Sequence, residues 1–491
     1  MKSSSANDKA INRTIFVLLI LILIGALLLR VYDIGYQSYW LDELFSITLA
    51  DPRIDFVEML RRLQYEVNPP LFYILLHWWS EIFGTGEVAA RSLSALFGCS
   101  TVLFAAVYYR RFTDGWTHLT FVALVATSYG ATWYAQEARA YSLLLLLSTM
   151  LTGATLSILT DANVHRRVNA GAVILLVGAS VAAALVHYFG LVISAACYLT
   201  VLIFLWRWTY LVRLIAMGGL ICLGVFAIWL STHYQLIGEL TGGNFWITRD
   251  YGQIFSTLLL LMFGNFWGIY GIAMAFLIYM CAKLGKGDPI AFDLRPLLMI
   301  IVFCLLGPAV VSLHSPVITP RNLIIVFPAA YLVVAHVLNS IAVAGGADGG
   351  WRVMRISSVV MLVGVMMMPS IESKTMPLKE QWREAAAFIL GDPACRGATL
   401  FVAGSEDIAL FEFYTNQMYA DVEMTFFPLP AAGPIPETQV RRVVDDRCPV
   451  LLWQVHSPAL PGSLSALYER VPQSAVAVER FYGSNVYTYR R

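Results

Sequence analysis

Charge is what this sequence has least of. Asp, Glu, Lys and Arg make up only 13% of its 491 residues, where a soluble domain carries roughly a quarter. Hydrophobic residues fill 58% of the chain, and the mean hydropathy is +0.67. Together these exclude a water-soluble globular protein. The net charge of +1 lacks the cationic surplus that nucleic-acid binding requires, so no nucleic-acid partner is expected. Alternation is missing from apolar runs such as Ile15–Leu29 and Leu143–Leu159. In lipid the backbone must pair within a helix or a closed barrel, and barrel strands alternate, so the spans are helices. A cleavage site is missing too. Lys2, Lys9 and Arg13 precede the first apolar run, but Arg30, Val31 and Tyr32 follow it. That reads as a retained first span rather than a signal peptide. The chain shows no internal repeat and no low-complexity segment.

What is present is a series of apolar segments at about 14–32, 91–109, 117–134, 141–160, 168–187, 189–206, 211–231, 255–281, 296–313, 322–340 and 353–371. Each is near the ~20 residues that cross ~30 Å of hydrocarbon. Segment 70–83 is short and contains His77 and Glu81. Charge decides how it lies. If it does not span, Arg110, Arg111, Arg166, Arg167, Arg207, Arg213, Lys283, Lys286, Arg295, Arg352 and Arg355 all fall on the N-terminal side of the membrane, with Lys2, Lys9 and Arg13. The short loops of the other face keep only Arg139, Arg249 and Arg321. If it spanned, the positive-inside bias would invert nearly everywhere. Segment 70–83 is therefore expected to lie in the outer interface. The expected layout has the N-terminus inside, external loops at about 33–90 and 232–254, and an external tail from about 372.

That tail changes composition. Lys379–Leu390 reads as an amphipathic helix, Ala398–Ala403 as a buried strand closed by Gly404, and Glu406–Asn416 as a helix. Pro449–Val455 and Ala475–Phe481 read as strands, and Asn485–Tyr489 completes a terminal hairpin. The expected fold class is a polytopic α-helical membrane protein of about eleven spans, 1–371, with a C-terminal α/β domain, 372–491. Of the seven cysteines, Cys99, Cys197, Cys222, Cys281 and Cys304 lie in or beside spans and read as small apolar residues. Cys395 and Cys448 lie in the tail. An oxidising compartment would let them pair, but sequence does not supply their distance.

The polar residues of the outer face carry the functional signal. Asp42 and Glu43 sit among Tyr39, Trp40, Leu41, Leu44 and Phe45, just past the first span. At the same level fall Glu66 and Asn68 before Pro69-Pro70, then Arg91, then Gln136, Glu137 and Arg139 between Tyr134 and Tyr141. His187 with Tyr188 and Arg321 with Asn322 complete the set. Ionisable residues at span ends are costly and point to function. Each also has a plain structural reading. Asp42 reads equally as a helix cap with Glu43 in the first turn. Glu137 and Arg139 read as a local ion pair, Arg321 as a residue reaching lipid head groups, and His187 as an interface histidine. Pro69-Pro70 reads as fixing the start of the next helix. As a set they suit group transfer from a phosphate-bearing lipid. A carboxylate would accept a proton from an attacking hydroxyl. Arginines would hold the phosphate as it leaves. The His, Asp and Glu residues show no specific metal-ligand spacing, and a divalent metal is left open.

Leu41-Asp42-Glu43, Asn68-Pro69-Pro70-Leu71, Arg91-Ser-Leu-Ser-Ala-Leu-Phe-Gly98, Gln136-Glu-Ala-Arg-Ala-Tyr-Ser142, His187-Tyr-Phe-Gly190, Pro320-Arg321-Asn322 and Lys379-Glu-Gln-Trp-Arg383 together resemble the GT-C class of lipid-sugar-dependent membrane glycosyltransferases. The resemblance runs over about 14–390. It is closest to bacterial relatives of the protein O-mannosyltransferases and of the aminoarabinose transferase of lipid A. It implies a core of seven helices, with active-site loops after the first and seventh. It implies inverting transfer of a sugar from a polyprenyl-phosphate donor to a hydroxyl of an envelope lipid, glycan or protein. Such an enzyme would sit in a bacterial inner membrane, with its active site and C-terminal domain periplasmic. Asp42 would be the base, with Glu43 binding substrate or supporting it. Arg139 and Arg321 would lead the phosphate ligands, with Glu137, His187, Tyr188, Asn68 and Arg91 around them, and the 232–254 loop would cover the donor. The aminoarabinose transferases carry an acidic residue and a lysine where this chain has Val67 and Asn68, and Glu66 is the nearest substitute. A transporter or flippase for a lipid-linked glycan is the alternative. Transporters keep charges near mid-membrane in paired repeats, whereas here they gather at one face. A non-catalytic assembly partner is a third reading.

Overall fold

The computed structural model describes residues 2–66, 68–232, 250–265, 293–344, 349–404, 408–419, 422–429, 435–455, 471 and 473–489. Most of the 232–254 loop, Cys281, Lys283, Lys286, Glu406 and Asp407 lie outside the described residues. The chain divides into two compact units. One comprises Met1–Tyr32, Pro52–Phe83 and Ala90–Glu372; the other comprises Asp33–Asp51, Gly84–Ala89 and Ser373–Arg491.

The first unit is helical. Its elements are α1 (Lys2–Val31), α3 (Phe56–Arg62), α4 (Leu71–Phe83), α5 (Glu87–Tyr108), α6 (Gly115–Thr127), α7 (Tyr129–Ala135), α8 (Tyr141–Asn163), α9 (Ala170–Val186), α10 (Tyr188–Phe204), α11 (Thr209–Ser231), α12 (Tyr251–Phe263), α13 (Arg295–Ser312), α14 (Phe327–Ala344) and α15 (Gly349–Glu372). Among the described residues six helical stretches are long and apolar enough to cross a membrane, and five shorter apolar helices accompany them; residues 266–281 of the expected 255–281 span lie outside the described residues. These helices fall on the segments expected from hydropathy. The protein is a multi-pass membrane protein.

Segment 117–134 is two helices rather than one. Ser128 breaks it by leaving helical geometry, and its Oγ accepts the Ala131 amide at 3.3 Å to start α7. Tyr331 holds the break, its hydroxyl 2.7 Å from Ser128 Oγ and 2.9 Å from the Met262 carbonyl. α8 is the central helix, 83% of its most apolar window being buried, while α1 is buried over only 11% and turns Phe16, Leu21 and Leu28 outward. One buried charge ties α1 to α6. Arg30 donates to the Val125 and Ala126 carbonyls at 3.2 and 2.9 Å, at a helix C-terminus whose free carbonyls favour a cation. Gly98 makes room for it, since a Cβ there would lie 3.0 Å from Arg30 Nε and 2.7 Å from Ala135 Cβ. α4 packs against α9 through a face that buries Phe72, Tyr73, Leu76 and His77. Trp78, Ile82 and Phe83 remain exposed.

The second unit carries α2 (Leu41–Leu49) and a five-stranded mixed sheet of order β2-β1-β3-β5-β4. Its strands are β1 (Thr399–Ala403), β2 (Thr425–Pro428), β3 (Val450–Val455), β4 (Val476–Phe481) and β5 (Ser484–Tyr489). β1 runs parallel to β2 and β3, while β5 is antiparallel to β3 and β4. β1 and β3 are wholly buried, as central parallel strands must be. Helices α16 (Trp382–Gly391), α17 (Ile408–Met418) and α18 (Glu437–Val444) accompany the sheet. The rings of Trp382, Phe411 and Trp453 meet at centroid distances of 5.0, 5.1 and 5.8 Å. Cys395 and Cys448 form a disulfide. β2 and α18 were not expected from sequence. β2 has four residues and ends in Pro428, an edge-strand signature too short to register.

Candidate functional site

The predicted site residues fall into two groups, one in each unit. Asp42 and Glu43 stand in the first turn of α2, in the sheet-bearing unit. Trp40 is the residue before the helix, in extended conformation with φ −94° and ψ 171°. The helix therefore caps on Trp40, and the reading of Asp42 as the cap is corrected. Asp42 is the second helical residue and is partly exposed, whereas Glu43 is fully buried. Glu43 Oε2 accepts the Trp40 amide at 3.4 Å and lies 3.1 Å from Lys379 Nζ. The Leu41 amide donates to Glu380 Oε2 at 2.9 Å. The two adjacent carboxylates thus live in different surroundings. Glu43 is tied into an ion pair and a helix cap, and Asp42 retains access to solvent.

The second group lies in the helical unit, at the turns between its helices. Glu66 Oε1 accepts from the Asn68 side chain at 2.9 Å and from the Tyr73 hydroxyl at 3.0 Å. Asn68 is therefore spent on shaping the stretch before Pro69-Pro70. The Pro70 carbonyl in turn accepts the Ile74 amide as α4 begins. Residues 136–140 form the tight turn between α7 and α8. The Gln136 side chain closes it against the Leu29, Arg30 and Tyr32 carbonyls. The Arg139 amide donates to the Glu137 carbonyl at 2.7 Å. Glu137 is 2% exposed and Arg91, within α5, is 1% exposed. His187 separates α9 from α10, and its Nδ1 accepts the Phe189 amide at 3.1 Å. The Tyr141 ring stands between two of these residues, 5.8 Å from the His187 ring and 5.8 Å beneath the Arg321 guanidinium. Asn322 shapes the Arg321 loop by donating to the Val317 carbonyl at 3.3 Å.

Electrostatics binds this group together. Burial drives the His187 imidazole below its usual range, and the charges of Arg139 and Arg321 push it the same way. Burial raises the Tyr73 phenol, the Glu66 carboxylate adds to that, and Arg139 opposes it. Arg139 and Arg321 therefore act on the same neutral imidazole. Such a set favours an anion with several acceptor oxygens. The Tyr188 ring stands edge-on to Phe226 at 5.8 Å, against an apolar cluster. Tyr73, Tyr134 and Tyr141 belong to this group although no motif singled them out as ligands. Tyr134 and Tyr141 bracket the Gln-Glu-Ala-Arg turn, 5.0 Å apart between rings. Among the described residues no three His, Cys, Asp or Glu side chains gather as a metal site.

Fold and residues together define a multi-pass membrane protein with partly buried arginines at its helix turns and a mixed-sheet domain that carries the acid pair. No family model and no curated protein matches the sequence. Solved structures do. ArnT from Cupriavidus metallidurans in the apo state is similar with a TM-score of 0.59 and 14% identity, over 95% of this chain and 97% of that one. The same protein bound to undecaprenyl phosphate gives 0.56 and 14% over the same shares. The Archaeoglobus fulgidus oligosaccharyltransferase, in complex with zinc and sulfate, gives 0.48 and 10%, over 96% of this chain and 73% of that one. Over nearly its whole length the chain has the fold of ArnT, a GT-C membrane glycosyltransferase.

Proposed function

We propose that this protein is a membrane glycosyltransferase that moves a sugar from a polyprenyl-phosphate donor to a hydroxyl acceptor, with inversion, at the periplasmic face of a bacterial inner membrane. The observation that carries the reading is the likeness to ArnT across both units, which includes the form bound to undecaprenyl phosphate. The pair of partly buried arginines supports the donor half. Arg139 and Arg321 bind the phosphate, with the neutral His187 and the tyrosines beside them. Asp42, partly exposed, supports the acceptor half. It takes the proton of the acceptor hydroxyl as that oxygen bonds to the anomeric carbon. The bond from that carbon to the phosphate oxygen breaks on the opposite face. The electron pair stays on the phosphate, which leaves as an anion held by the arginines and needs no proton. Glu43, buried against Lys379, supports Asp42 rather than touching substrate. The Cys395–Cys448 disulfide supports an oxidising compartment for the sheet-bearing unit, as does the surplus of Lys and Arg in the loops of the other face.

The test is transfer from a panel of radiolabelled polyprenyl-phosphate sugars into an envelope extract by purified protein, with Asp42→Asn alongside. The expected result is label entering one fraction with wild type and a loss of at least about a thousandfold in the variant, the scale of a removed general base plus its charge. Full activity in Asp42→Asn would sink the base assignment. Flipping of a lipid-linked glycan in vesicles without any transfer would replace the reading with a transporter.

A further inference from the structure

The residue before α2 brings no capping group of its own. Trp40 offers no side-chain oxygen, so the amides of Trp40 and Leu41 need acceptors from elsewhere. Both acceptors are carboxylates. Glu43 reaches back to Trp40 at 3.4 Å, and Glu380, some three hundred residues on in the chain, accepts from Leu41 at 2.9 Å. Glu380 Oε2 is itself fixed, because it also accepts the indole N–H of the fully buried Trp382 at 2.8 Å. Glu43 is at 0% exposure with Lys379 as its counter-charge at 3.1 Å. The approach to the helix is stapled to the same segment. The Gln37 amide group donates to the Ser373 and Met376 carbonyls at 2.9 and 2.8 Å, and its oxygen accepts the Leu378 and Lys379 amides at 3.0 and 3.2 Å. Close approach at the hairpin turn keeps this segment in place. Gly483 has φ +66°, and a Cβ there would lie 2.7 Å from Glu380 Cγ.

We propose that Lys379 and Glu380 are positioning residues for Asp42: they hold the turn that carries it and set where its carboxylate stands. The proposal rests on the assignment of Asp42 as the base. A base must stand within a fraction of an ångström of its productive place, held by side chains that are themselves locked. Lys379-Glu380-Gln381-Trp382-Arg383 supplies that lock from the far end of the chain. Arg383 closes it on the other side, donating to the Gly35 and Tyr36 carbonyls at 3.0 and 2.8 Å and pairing with Glu87 at 3.0 Å.

Hydrogen exchange on the full-length protein in detergent tests the lock without any substrate. In Lys379→Met the buried Glu43 loses the ammonium 3.1 Å from it, and amides 40–46 should exchange about tenfold faster. The neutral pair Lys379→Gln/Glu43→Gln keeps the hydrogen bonds without the buried charges, and should return exchange to within about threefold of wild type. In the transfer assay Lys379→Met should lower kcat about a hundredfold and leave the donor KM within about threefold, since the phosphate ligands lie in the other unit. The neutral pair should recover much of the lost kcat. Unchanged exchange and unchanged kcat in Lys379→Met would overturn the proposal. So would a neutral pair as impaired as the single variant, which would mean general disruption. Faster exchange in Lys379→Met combined with a wild type that transfers nothing would refute the transferase reading and leave the lock standing.

Discussion

Gly190 decides whether α9 and α10 can cross where they do, and so where His187 stands. A Cβ at Gly190 would overlap the Ala183 carbonyl, with Ala183 Cα itself only 3.0 Å away. That carbonyl is committed, since it accepts the His187 amide at 3.1 Å. The obstacle is backbone on both sides, so no side chain can move aside. Gly190→Ala must push the two helices apart or break the His187 bond. Overpacking of this kind costs about 1–3 kcal/mol, and a lost buried bond about 1 more. Gly178 is the control. It lies within α9 with nothing within 4 Å of its missing Cβ, and alanine there should stabilise by about 0.5–1 kcal/mol through helix propensity. The two variants add the same methyl group twelve positions apart and should move stability in opposite directions. Thermal unfolding in detergent should show Gly190→Ala melting about 2–4 °C below wild type and Gly178→Ala at or slightly above it, at about 1 °C per kcal/mol for a chain of this size. Gly190→Ala should also weaken binding of polyprenyl phosphate, because His187 and its neighbours move with the crossing. A Gly190→Ala protein that melts at or above wild type would refute the account of the crossing.

Two further outcomes follow from the same structure. The Cys395–Cys448 bridge spans 53 residues, and the loop-closure account gives it about 4 kcal/mol. Cys395→Ala/Cys448→Ala should lower the denaturant midpoint of the sheet-bearing unit accordingly, and an unchanged midpoint would deny the bridge a stabilising role. His187 is neutral in the folded protein and held below its ordinary value by burial and by Arg139 and Arg321. The unfolded chain therefore binds the proton more readily, and the stability this group contributes is complete above about pH 6.5 and lost as pH falls, by at most about 1.4 kcal/mol per unit. His187→Gln should flatten that slope in melting curves taken from pH 7 to 4.5, and an identical slope would place the titration elsewhere.

The spans were readable because lipid leaves few choices. An apolar run without alternation, such as 143–159, has to be a helix. The acid pair and the arginines at span ends stand out in the sequence for a related reason, since such residues are costly there. What could not be read is which residue supports which. Glu43 and Asp42 are neighbours with the same functional group, and their difference comes from Lys379, far along the chain. Nothing local marks Glu43 as the buried one: α2 simply turns its third residue inward and its second outward. Asn68 stands out by its place before Pro69-Pro70, and its bond to Glu66 could not be read from the sequence. Tyr73, seven residues past Glu66, looked like one aromatic among many and proves to be the group that carboxylate binds. Segment 117–134 reads as one span, yet Ser128 starts a second helix within it, with Tyr331 brought to it from a later helix. In each case the partner of a polar residue comes from tertiary packing that no local pattern marks. The Lys379–Arg383 segment shows the same division from the other side. As a motif it fits the GT-C class without any evident chemistry of its own, and the reason emerges only when its bonds are followed back to the first turn of α2.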